Sequence, residues 1–120
     1  MRLLVCGDRN WTNKGLIKEW IVKLQPDVII EGEARGADSY ARDIGLELGT
    51  IVERFPAQWE TYGRAAGIIR NTKMLMEGKP DFVLAFHDSI ATSTGTRNML
   101  QQAKKAGIKS LLVVNKGVAK

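Results

Sequence analysis

Short apolar runs without a helical period alternate along this chain with segments whose apolar residues recur every three or four positions. Leu3 to Cys6, Val28 to Ile30, Thr50 to Val52, Phe82 to Phe86 and Ile108 to Val114 are the short runs, as expected of strands buried on both faces of a parallel sheet. Between them the period predicts helices. One runs from Lys14 to Leu24, with Leu16, Ile17, Trp20, Ile21 and Leu24 on one face and Asn13 as its cap. A second runs from about Asp38 to Leu48, with Tyr40, Ala41, Ile44 and Leu48 inward and Gly49 as its stop. A third spans Ala65 to Met76, with Ile68, Ile69, Leu75 and Met76 as its buried contacts, and a fourth follows Gly95 through Met99, Leu100 and Ala103. The stretch FPAQWETYGRAAG reads as an ordered functional loop or short helical turn, and the tail from Asn115 as polar.

Strands alternating with helices argue an α/β fold, because right-handed crossovers place the helices on both faces of a parallel sheet. The expected sheet has five strands in the order 3-2-1-4-5, with the first strand central. The chain runs outward through strands 2 and 3, then crosses back to set strand 4 on the other side of strand 1. That reversal opens a crevice beyond the carboxyl ends of the strands, where ligands bind in such sheets.

The loops expected at that edge are Gly7 to Trp11, Glu31 to Asp38, Phe55 to Gly63 and His87 to Thr96. The last is small and polar, and Gly95 and Thr96 open a helix whose unpaired N–H groups favour an anion. Taken alone, Ser-Thr-Gly-Thr reads first as a capped helix start. The other loops point to the same place. In GEARGAD, Gly32 and Gly36 flank Arg35 at a strand-to-helix turn, so the backbone can approach a ligand. The motif is neither GxGxxG nor a phosphate loop ending in Gly-Lys-Ser/Thr, which argues against an ordinary nucleoside triphosphatase. Asp38 could cap the second helix or bind a ribose hydroxyl. Trp11, Trp59 and Tyr62 could stack on a ring or plug the edge of the core.

At 120 residues, with 44% hydrophobic and 26% charged residues, the chain is expected to form one domain with a sizeable core. It has no apolar run of about 20 residues, the length of a membrane span, and no signal-peptide pattern at Met1-Arg2-Leu3, so a cytoplasmic location is expected. One Cys and one His assemble neither a disulfide nor a Cys/His zinc site, and no metal or cofactor is called for. The formal charge of +5 matters through its placement. Most lysines occupy helix faces and ends, whereas Arg9, Arg35 and Arg97 stand just after strands or at a helix start, where planar forks grip phosphate oxygens. Arg70 lies inside a helix.

GDRNW, GEARGAD, FPAQWETYGRAAGIIRN with Met74, PDFVLAF, GTRNM and a final A-x-x-A-G-I occur in that order over nearly the whole chain. Together they resemble the YspA, or cpYpsA-related, family of the SLOG superfamily. The resemblance implies a Rossmann-like three-layer sandwich, a nucleotide or nucleotide-derived ligand, and a homo-oligomer. The wider superfamily includes the LONELY GUY phosphoribohydrolases, which release a base from a nucleoside monophosphate, and the DprA proteins, which bind single-stranded DNA. The phosphoribohydrolase motif PGGxGTxxE, laid on Gly95-Thr96, retains only that pair, and its Glu falls on Met99. A thioether cannot act as a general base. Arg70 stands where that group's catalytic helix arginine is expected.

The site expected from these readings takes Gly7, Arg9 and Trp11 from the first loop and Gly32, Arg35, Gly36, Ala37 and Asp38 from the second. It adds Trp59, Tyr62, Arg70 and Asn71, then Thr94, Gly95, Thr96, Arg97 and Asn98. The first reading is a domain that senses or sequesters a nucleotide or an NAD/ADP-ribose-type ligand. The second is a nucleotide N-glycosidic hydrolase with Glu33, Asp38 and Arg70 as its candidate catalytic residues, Asp8 being another carboxylate within reach. The third is a single-stranded nucleic-acid binder. It would require cations interleaved with aromatics over an extended face, and the sequence offers one compact cluster.

Overall fold

The computed structural model describes residues 1–119. Its centre is β1 (Arg2–Gly7), whose parallel neighbours are β2 (Val28–Glu31) and β4 (Phe82–Phe86). Beyond β2 lies β3 (Ile51–Arg54), and beyond β4 lies β5 (Lys109–Val114), both also parallel. Successive strand residues point to opposite faces, which divides the core in two. Leu3, Val5, Ile29, Leu84 and Phe86 face α1 (Lys14–Leu24) and α2 (Ala37–Glu47). Leu4, Cys6, Ile30, Val83 and Ala85 face the opposite helical layer, which contributes Met74, Leu75, Met99 and Ala103. An apolar run without alternation is what such two-sided burial demands.

The order β3-β2-β1-β4-β5 is as expected, but a sixth strand extends it. β6 (Gly117–Ala119) pairs antiparallel with β5, with Val113 opposite Val118. The stretch expected to be a polar tail is therefore a hairpin whose turn is Asn115-Lys116. A three-residue strand has no readable period, and this one exists because β5 offers it an edge. Its turn is pinned from outside: the Asn115 backbone N–H and side-chain amide donate to Asp88 at 2.8 and 2.6 Å, and Asn13 Nδ2 donates to Asn115 Oδ1 at 2.9 Å. Two of these bonds also hold the Asp88 carboxyl below its usual range.

Asn13 caps α1 as its sequence predicts, its Oδ1 accepting from Leu16 N–H at 3.1 Å, and Ile17 and Ile21 are buried. The aromatic stretch after β3 forms a short helix α3 (Trp59–Tyr62) and a single 3₁₀ turn before α4 (Ala66–Gly78). The buried face of α4 differs from the expected one. Ile68, Ile69 and Met76 are 43, 40 and 70% exposed, and Ala66, Asn71, Met74, Leu75 and Gly78 face inward. The helix is rotated because Asn71 is engaged by the next helix, α5 (Gly95–Lys105), while Met74 and Leu75 fill the core beneath. A period count cannot see a polar residue pulled inward by a hydrogen bond. Among the described residues, no helix is long and apolar enough to cross a membrane.

Candidate functional site

A cavity of about 340 Å³ opens at the carboxyl ends of β1 and β4, where the strand order reverses. Its walls come from the β1 and β2 loops, α4 and the loop entering α5. Eight of the expected residues line it: Gly7, Arg9, Asp38, Arg70, Asn71, Thr94, Gly95 and Thr96. Arg9 and Arg70 are its cations.

Arg70 is placed by three elements at once. Its Nη1 donates to the Gly32 carbonyl, and its Nε donates to Asn71 Oδ1 at 3.1 Å. Asn71, nearly buried, in turn donates to the Gly95 carbonyl at 3.1 Å and to Asn98 Oδ1 at 3.2 Å. The α5 entrance is thus fastened to α4 through the residue that also orients the guanidinium. Two of five guanidinium N–H groups are used by the protein. Gly32 makes room for this arrangement, since a Cβ there would stand 2.4 Å from Arg70 Nη1. The obstructing group is the far end of a flexible side chain. Gly32→Ala is therefore expected to leave the melting temperature within a few degrees of the parent while displacing the guanidinium, a combination read by thermal unfolding beside ligand titration.

Asp38 lies in the first turn of α2 at 3% exposure. It does not cap that helix; its Oδ2 accepts from the Gly32 N–H at 3.0 Å. Burial drives its pKa from 3.8 up to about 6, against the opposing pull of Arg70, the Gly32 and Ala34 N–H groups and Arg9. Glu31, which ends β2, is fully buried, and both its carboxylate oxygens accept from the Glu33 N–H at 3.2 Å. Burial, then the neighbouring Asp38 and Glu33, hold Glu31 well above the ordinary carboxylate range. The Cys6 thiol is also raised, by burial first and then by Asp38. A raised thiol is inert as a nucleophile near neutral pH.

Nine expected residues stand outside the cavity wall. Trp11 is core, packed on Phe86 with ring centroids 5.6 Å apart and its Nε1 donating to the Asn13 carbonyl, so no ring can stack on it. Gly36 and Ala37 are structural: Ala37 is buried, and Gly36 lies against the Asp8 and Arg9 backbone. Trp59 and Tyr62 are exposed on α3, and Arg35 is exposed on its loop. Arg97 donates to the Ala91 carbonyl and faces a different groove. Asn98 and Gly32 sit one layer behind the wall as partners of Asn71 and Arg70. Glu33, a candidate catalytic carboxylate, is occupied by Arg54 at 3.5 Å and Arg42 at 3.9 Å.

Glu31 and His87 were absent from the expected site. His87 lines the cavity, nearly buried, its Nδ1 accepting from Ser89 N–H at 2.9 Å. Ser93, whose Oγ accepts from Thr96 N–H at 3.1 Å, caps the entrance of α5 and lines the wall too. A signal for Glu31 exists in the sequence: it is the acidic residue that ends an otherwise apolar run at the ligand edge of the sheet.

No protein-family model matches the sequence. The Gene 61 protein of Mycobacterium phage D29 is 34% identical over 119 residues, covering 89% of this chain and 91% of the relative. The chain belongs to the Gene 61 family. Beyond the Gene 61 family, the fold is similar to the X-ray structure of DNA processing protein A (DprA) from Streptococcus pneumoniae. The TM-score is 0.74 at 16% identity, over 93% of this chain and 50% of DprA, so the chain spans half the length of that relative. The likeness establishes a DprA-like Rossmann fold for this member of the Gene 61 family.

Proposed function

We propose that the cavity binds a phosphate-bearing, nucleotide-derived small molecule, and that the protein senses or sequesters it as a YspA-like branch of the SLOG superfamily. The observation that carries this reading is the joint placement of Arg9, Arg70 and the Thr94–Thr96 helix entrance around one cavity at the strand reversal. Its volume of about 340 Å³ falls in the range of small-molecule sites. The fold likeness to DNA processing protein A supports ligands of the nucleotide or nucleic-acid class. A strand of nucleic acid would need an extended basic and aromatic groove, and Trp59 and Tyr62 stand apart from these cations.

Titration calorimetry against nucleotides, dinucleotides and cyclic nucleotides should find a binder. Arg9→Ala and Arg70→Ala should each weaken it by about tenfold to a hundredfold, the loss of one charged hydrogen-bonding partner worth about 1.5–3 kcal/mol. Arg35→Ala should bind like the parent. Silence across the panel, or unchanged binding in both cavity variants, sinks the reading.

One observation favours a second reading, N-glycosidic hydrolysis. Asp38 is a carboxyl inside the cavity with its pKa near 6, the range in which one group can both take and give a proton. Met99, the position on which the hydrolases' Glu falls, lines the cavity as a buried thioether and brings no carboxyl to it. We further propose a homo-oligomer in the cytoplasm. Ile68 and Ile69 on α4 are exposed enough to pair, whereas Met74 is spent on the core. Light scattering should return a mass above the 13.3 kDa of one chain.

A further inference from the structure

All thirteen acidic residues lie before position 89, with twelve of the eighteen Lys and Arg residues, so residues 89–120 hold six cations and no acid. The fold carries this imbalance to one end of the sheet. Arg97, Lys104 and Lys105 lie on α5, Lys109 begins β5, and Lys116 sits in the β5–β6 turn. Among the described residues, none of these five enters an ion pair.

A groove of about 640 Å³ runs between α5 and the outer edge of β5. One wall is the helix face of Arg97, Leu100 and Lys104, and the other is the segment from Ile108 into β5 as far as Leu112. Leu100, Ile108 and Leu112 form an apolar floor continuous with the core. Among the described residues, no carboxylate and no aromatic ring lines it. The register with β6 covers β5 only from Leu112 to Val114, which leaves Lys109 to Leu111 without a strand partner on that side among the described residues.

We propose that this groove docks an extended, acidic segment of a partner protein, laid along the free edge of β5 against α5. An unpaired strand edge is a template for one more strand. Along such a strand alternate side chains point the same way, so one set enters the floor beside Arg97 and Lys104 on α5, while the intervening carboxylates turn to the face of the sheet that carries Lys109. Charge complementarity selects the sign of the partner. The apolar floor and the lack of any stacking ring favour a polypeptide over single-stranded nucleic acid, which depends on aromatic platforms.

The test uses the full chain and a short fluorescent peptide of alternating leucine and glutamate, with a leucine-lysine peptide and a thymidine oligonucleotide as comparators. Anisotropy should show the glutamate peptide binding and the lysine peptide silent. Lys104→Glu with Lys109→Glu, both exposed positions, should weaken binding by about tenfold or more. Amide chemical shifts should move at Lys109 to Leu112 and along α5. Failure of the glutamate peptide to bind, equal binding of the lysine peptide, unchanged affinity in the double variant, or shifts confined to another surface overturns the proposal. Oligonucleotide binding lost in the same variant, with the peptide silent, assigns the groove to nucleic acid and overturns it equally.

Discussion

Gly36→Ala is expected to be strongly destabilising, lowering unfolding free energy by about 3 kcal/mol or more. Two effects act together. Gly36 has φ of +73°, a conformation in which a Cβ is strained, and that Cβ would stand 2.3 Å from the Asp8 carbonyl oxygen and 2.6 Å from the Arg9 carbonyl carbon. Both obstacles are backbone. The adjoining Ala37 N–H donates to the same Asp8 carbonyl at 3.2 Å, so any displacement breaks the junction between the β1 and β2 loops that carry Arg9 and Asp38. Denaturant unfolding should show the loss; a variant as stable as the parent would mean that the junction is soft. The contrast with Gly32→Ala is informative, because there only a guanidinium stands in the way.

Asp38→Asn is expected to raise stability at neutral pH while changing the chemistry of the cavity. The aspartate pKa rises from 3.8 to about 6 on folding. The folded protein therefore holds this proton more tightly than the unfolded chain. The associated stability is fully present below pH 4, declines as pH rises towards 6, and is gone above it. A shift of this size corresponds to a disadvantage of about 3 kcal/mol above pH 6. An asparagine keeps an oxygen for the Gly32 N–H without a charge to bury. The variant should gain about 1–3 kcal/mol at pH 7.5 and show a shallower fall in stability between pH 4 and 6, the remainder coming from the buried Glu31, measured by denaturant unfolding across that range. A variant no more stable than the parent would show that the buried charge is fully compensated. The two functional readings part here. If the cavity only binds, removing an anion from beside Arg9 and Arg70 should leave phosphate-ligand affinity equal or stronger. If it hydrolyses, turnover should fall by about 10²–10⁴.

The site was partly legible in advance. Gly95 and Thr96 were readable because a strand, a small polar loop and a helical period follow one another within Pro80 to Leu100. Arg9 was readable from its place after a strand, and it does line the cavity. The same rule misplaced Arg35 and Arg97, because standing near a strand end does not say towards which side of the loop a long side chain turns. Arg70 stands in mid-helix rather than at a strand end, and Asn71 and the Gly32 carbonyl aim it into the cavity. Trp11 was misread because its flanking residues are polar while its ring packs on Phe86.

Local sequence determined which segments are strands and helices, since apolar run length, helical period and capping residues act within a few positions of one another. With the handedness of crossovers, that was enough to order five strands and to locate the crevice. Tertiary structure alone decided the rotation of α4, the pairing of β6 and the burial of Glu31 beside Asp38. Each depends on a partner distant in sequence: Gly95 for Asn71, β5 for Gly117 to Ala119, and the β2–α2 turn that folds Gly32 onto Asp38 while Arg70 arrives from α4. Periodicity records which residues avoid water. It carries no record of which polar group will be waiting when they do, and that is what shapes this cavity.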